Sequence, residues 1–187
     1  LTAPGARSED GRWKSNISLG VNASRGNADS LFTNFLFDAE RKRTEDILRG
    51  NLSAAYGETD DETTANEIMI SSQYNRTVTA KTFWSLMGSA EFNDISGIDY
   101  RYTVAPGYGY YFIKEEKRLL ELSGGLAYVG EKFDTGEKED YISMFISERF
   151  DLQMKNSKLW NNLMLIPEIS DFSNFILKGE IGFESGI

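Results

Sequence analysis

The chain has 187 residues, 40% hydrophobic and 13% aromatic, with 29 acidic against 20 basic side chains and neither cysteine nor histidine. A net charge of −9 argues against a nucleic-acid partner, whose phosphates need a basic surface, and the lack of cysteine removes disulfides and thiolate metal sites. The lack of histidine removes the Ser-His and Asp-His pairs that hydrolases use near neutral pH, and imidazole-ligated metals with them, so the chain reads as a non-enzyme without a cofactor.

Residues 1–12 form a polar lead-in with Pro4 and Gly5. Leu1–Gly11 has neither the basic start nor the apolar block of a secretory signal. Residues 13–187 read as one domain. No run of 18 apolar residues exists to cross a membrane as a helix. A transmembrane barrel remains open, because half of each spanning strand is polar and the mean hydropathy of −0.41 averages over both faces.

From Trp13 the side chains alternate with the period of two that marks a strand. Trp13, Ile17, Leu19 and Val21 share one face, against Lys14, Asn16, Ser18, Gly20 and Asn22. A turn at 25–30, with Gly26-Asn27, leads to a second strand over Leu31–Lys42, in which Phe32 and Leu36 fall on the polar side. The third strand turns Leu48, Leu52, Ala54 and Tyr56 outward, and an acidic loop over 58–65 follows. Strands over Asn66–Arg76 and Thr82–Asn93 come next, then IDYRYTVAPGYGYYF at 98–112. There Tyr100, Tyr102, Val104, Pro106, Tyr108, Tyr110 and Phe112 oppose Arg101, Thr103, Ala105, Gly107, Gly109 and Tyr111. Because proline has no N–H for a ladder, a bulge is expected at Ala105–Gly107. A seventh strand through Leu120–Tyr128, a long loop over 130–140, an eighth through Ile142–Phe150, a ninth over Leu159–Ser170 and a tenth over Phe175–Glu184 complete the series.

The turns alternate in charge. Even turns carry Arg41, Lys42 and Arg43; Arg76 and Lys81; Lys114, Lys117 and Arg118; Lys155 and Lys158. Odd turns carry Glu58, Asp60, Asp61 and Glu62; Asp94 and Asp99; Asp134, Glu137, Glu139 and Asp140; Glu168 and Asp171, and are somewhat longer. Alternate turns of an up-and-down barrel emerge at opposite ends, which predicts one basic and one acidic rim.

GNADS (26–30), TANE (64–67) and above all DYRYTVAPGYGYYF (99–112) resemble the family of salt-induced outer-membrane proteins, a bacterial β-barrel family of unknown function numbered 481. The resemblance covers nearly the whole chain from Trp13. It implies an outer-membrane barrel of about a dozen strands and no established reaction or ligand. The fold expected is therefore all-β, an antiparallel up-and-down transmembrane β-barrel of about 10 strands, or 12 if a C-terminal hairpin is missing, since family members continue to a terminal aromatic residue where this chain has FESGI. The partners expected are outer-membrane lipids and lipopolysaccharide, at a bacterial outer membrane.

Periodicity alone does not say which face is inside. A soluble barrel binding an apolar ligand would turn its apolar face inward. The Gly, Ser, Ala and Asn of the polar face suit a crowded interior better, and Trp13, Trp84, Tyr56, Tyr100 and Tyr128 lie towards strand ends as aromatic girdles do. The interior then receives Lys14, Asp38, Glu40, Arg49, Glu67, Glu91, Arg101, Glu121, Arg149, Lys178 and Glu180. Opposite charges in so narrow a space are expected to pair. A sharper expectation is a narrow conduit for small ions or solutes, with Arg101 and Glu121 on adjacent strands at its constriction. Asp60–Asp61 and Glu139–Asp140 lack the spacing of a calcium loop, and no glycine-rich phosphate loop opens a helix.

Overall fold

A computed structural model describes residues 11–25 and 29–185; the expected turn at Gly26-Asn27, most of the lead-in and the last two residues lie outside them. Ten strands follow one another: β1 Trp13–Ser24, β2 Ser30–Lys42, β3 Asp46–Thr59, β4 Glu62–Thr77, β5 Thr82–Asn93, β6 Ile98–Lys114, β7 Arg118–Phe133, β8 Lys138–Gln153, β9 Ser157–Pro167 and β10 Phe175–Ser185. They form one antiparallel sheet in sequence order, curled into a half-barrel, and the described residues contain no helix. β1 pairs only with β2 and β10 only with β9, so closure at ten strands is not observed and both edges stand open.

Two regions expected to be long loops are strand. The acidic stretch 58–65 folds into β3 and β4 around a two-residue turn, with Thr59 opposite Glu62. Asp60 and Asp61 hold φ of 51° and 66° there, the double left-handed geometry of a type I′ hairpin, which aspartate tolerates better than most residues. Thr64 is left out of the ladder, which shifts register between Gly57 and Glu58. Replacing Asp61 by Gly removes the cost of a left-handed Cβ and should stabilise the protein by about 1 kcal/mol, measured as a higher urea midpoint. The stretch 130–140 likewise narrows to a turn at 134–137 between β7 and β8.

The bulge expected at Ala105–Gly107 is not formed. Towards β5, pairing runs unbroken through Ala105, Pro106 and Gly107. Towards β7, the rungs at Ala105 and Pro106 are lost, yet Val104 opposite Tyr128 and Gly107 opposite Gly125 keep one register. The glycines absorb the proline differently: they let the strands approach. A Cβ on Gly125 would sit against the Pro106 carbonyl oxygen, 2.7 Å from Gly107 Cα and 2.9 Å from the Phe145 ring. The bulges of β6 lie nearer its ends, where Asp99 and Phe112 drop out of the ladder.

Exposure settles which face is inside. Along β6 every even residue from Tyr100 to Phe112 is exposed, while Thr103, Ala105, Gly107, Gly109 and Tyr111 are buried. On neighbouring strands Trp84, Leu86, Leu126 and Ile142 also point out, each at least half exposed. Burial is deepest on the concave side of β5–β8 and least on β1, whose two faces are both open.

Candidate functional site: the interior of the curled sheet

The concave face carries three layers. At the acidic-rim end, Arg101 on β6 donates to Glu131 on β7 and lies 3.7 Å from Glu91 on β5. Glu91 in turn accepts from Lys178 at 3.0 Å. Lys178 belongs to β10, five strands away in the sheet, so this contact spans the interior.

At the basic-rim end, Arg49 on β3 donates to Glu40 on β2 at 2.9 Å and reaches across to Glu121 on β7 at 3.8 Å. Arg149 beside it on β8 donates to Asp151 at 2.7 Å. Glu121 is 3% exposed. Its Oε2 and both Arg49 terminal nitrogens are buried without a hydrogen-bond partner among the described residues, so the bridge is held by charge more than by directed bonds. Phe83 and Tyr111 pack beneath it with ring centroids 4.6 Å apart.

Between the two ionic layers lies an apolar one. Ala105, Ala127, Val129, Phe145 and Ile166 are buried together, with Met87, Met164 and Ile176 packed against them. This middle layer departs from the small, polar interior expected. The reason is legible on the strands: β6, β7 and β8 approach closely at Gly107, Gly124 and Gly125, and the Phe145 ring fills the space that side chains there would take.

The predicted site residues therefore divide. Glu91, Arg101 and Lys178 join one cluster, and Arg49, Glu121 and Arg149 the other. Arg101 and Glu121 do not meet. Arg101 stands opposite Glu131, and Glu121 opposite Tyr111, ten residues earlier on β7, or about 33 Å of strand. Asp38, Glu67 and Glu180 stay outside both clusters, Asp38 accepting from Asn51 at 2.7 Å. Glu67 is exposed and accepts from Asn93 at 2.9 Å. Glu180 is exposed on the open-edge strand β10, level with Asn162 and Arg149. Glu131 was not foreseen because 130–140 reads as a loop by composition. Its place two residues after Val129, on the buried phase of β7, is the signal that locates it.

The rims come out as the turn charges predict. Turns after β2, β4, β6 and β8 lie at one end and those after β3, β5, β7 and β9 at the other. On the acidic side, outward tyrosines are tied to carboxylates: Tyr56 donates to Glu58 at 2.7 Å and Tyr128 to Asp140 at 3.0 Å. On the basic side, Arg41 lies 5.3 Å from the Trp13 ring, and Trp84 meets Tyr108 edge to face at 5.7 Å.

Among known proteins, a family model described as a protein of unknown function, DUF481, matches residues 17–187. No curated protein and no solved structure matches the chain. A match over nearly all of the strand-forming sequence leaves one conclusion: the chain belongs to the DUF481 family.

Proposed function

We propose that this protein is a bacterial outer-membrane β-barrel with a structural, envelope-stress role, whose interior admits at most small ions or solutes. The observation that carries the reading is the outward apolar face bounded by aromatics. From Tyr100 to Tyr110 on β6 is about 33 Å along the strand, or about 25 Å along a barrel axis at a tilt near 40°. That matches the apolar band of an outer-membrane barrel. A soluble barrel holding an apolar ligand fits less well, because its greasy surface would face the ligand. Here the convex side carries it, and the one apolar layer inside is filled by the protein's own side chains. The envelope-stress part of the reading follows the family resemblance.

Two ionic bridges and a packed apolar layer stand in series along the interior, which supports a structural role over transport. The test is in two parts. The protein should need detergent for extraction and should migrate differently on a gel before and after boiling; solubility in buffer alone overturns the membrane reading. In a planar bilayer it should give no unitary conductance steps above background; regular steps would show that the layers part.

A further inference from the structure

Resting on the membrane reading, we infer that the basic rim is a docking collar for the phosphates of anionic glycerophospholipids. Arg43, Arg76, Lys81 and Lys117 are exposed at this rim, and none makes an ion pair among the described residues. Arg76 is the best placed. It lies on the outward face in a row that runs Asp46, Arg76, Trp84, Tyr108 across β3 to β6. The acid opposite it, Asp46, lies 3.9 Å from Arg41 and forms no ion pair with Arg76. Arg76 is thus the cross-strand neighbour of the exposed Trp84 at the edge of the apolar band, the height at which lipid phosphates lie. A planar fork of donors suits a phosphate oxygen pair, and the indole beside it suits the interface.

The opposite rim has the reverse character. Its turns carry Asp60, Asp61, Asp94, Asp134, Glu137 and Asp171, while the acids in the basic rim's turns are Glu45, Glu115 and Glu116, with Glu115 paired to Arg118, so the two ends differ in the sign of their charge. The choice of phospholipid over the phosphorylated sugar lipids of an outer leaflet comes from the connections. The basic rim has turns of three or four residues throughout, whereas the acidic rim, which also has the two-residue turn at 60–61, carries the longest described connection, 168–174. Short turns mark the periplasmic side of such barrels, where the leaflet is phospholipid.

The test uses the full chain with Trp13 and Trp160 replaced by Phe, leaving Trp84 as reporter. It is placed in phosphatidylcholine vesicles containing one-third phosphatidylglycerol, with the bromine quencher on either lipid. Quenching by brominated phosphatidylglycerol should exceed that by brominated phosphatidylcholine several-fold per mole of lipid, and the excess should shrink as salt rises. With each cation near an anionic surface worth about fivefold, the combined variant Arg43→Gln, Arg76→Gln, Lys81→Gln and Lys117→Gln should abolish the excess and bring the two lipids to equal quenching. Neutralising Asp94 and Asp134 on the other rim should leave it unchanged. Equal quenching by the two lipids in the chain without those four substitutions, or an excess that survives them, overturns the collar while the membrane reading stands. An acidic-rim variant that matches the basic one makes net charge the cause and overturns it too. A chain that inserts into no vesicle, read by unchanged gel migration on boiling, overturns the membrane reading and the collar together.

Discussion

Gly125→Val should abolish the folded form, or cost about 3 kcal/mol or more where folding survives, because overpacking at this point has no relief. Three neighbours crowd the position, and two are backbone: the Pro106 carbonyl oxygen and Gly107 Cα, with the Phe145 ring as the third. A flexible side chain could swing away, but here strands β6 and β7 themselves must part. They have already lost the rungs at Ala105 and Pro106, so the remaining pairs bear the separation. Gly50→Ala is the matched control. Its Cβ would meet nothing nearer than the Ser71 carbonyl oxygen at 4.0 Å, and the change should stay within about 1 kcal/mol. Urea unfolding in detergent micelles, followed by tryptophan emission, measures both. A Gly125→Val protein as stable as the Gly50→Ala one would show that the close approach is unnecessary.

Glu121→Ala should cost about 3 kcal/mol, the usual consequence of taking one counter-ion out of a buried ionic cluster. Glu121 faces Arg49 at 3.8 Å, and Arg149 lies in the next strand directly opposite it. Arg49 would keep only Glu40 and Arg149 only Asp151, and both would lose the nearby negative charge in a place where water does not compensate. The double variant Arg49→Met with Glu121→Leu is the informative companion. It removes one charge of each sign, leaves Glu40 with Lys42 at 3.1 Å and Arg149 with Asp151, and fills the space with apolar atoms. It should recover most of the loss, since a buried ion pair replaced by apolar groups of similar volume is often neutral or better. A double variant as unstable as Glu121→Ala would mean that the bridge contributes through something beyond charge balance.

Much of the architecture was legible in the sequence, and the parts that were not have identifiable causes. Period-two alternation places all ten strands, and on β6 it separates outward from inward residues without error, because that strand alternates between an exposed convex face and a buried concave one. Composition misled at 58–65 and 130–140. Acidic residues there signal a solvated loop, but strands extending past the apolar face also meet water, and Glu62, Thr63 and Phe133 carry pairing into it. Pro106 was read for its missing donor alone. The structure resolves it through the glycines around it, which draw the strands together in place of adding a residue. The charge clusters were half legible. The strand pattern names nearly every member, yet partnership depends on how tightly the sheet curls, and no local pattern encodes which strands face each other. Arg49 with Glu121, and Lys178 with Glu91, are consequences of curvature.

The sequence-order sheet also bears on how the molecule assembles. Every ladder joins a strand to its immediate neighbour in the chain, so pairing can advance hairpin by hairpin, each step closing only a short loop. The bridges across the interior are different in kind. Lys178 and Glu91 are 87 residues apart, and they can meet only after the strands between them are in place and bent. They are therefore late contacts, absent when the barrier is crossed. Weakening them should leave the rate of folding nearly untouched and quicken the return journey. The ion pairs inside this sheet would then act as a latch, setting how long the protein stays folded while the turns set how fast it gets there.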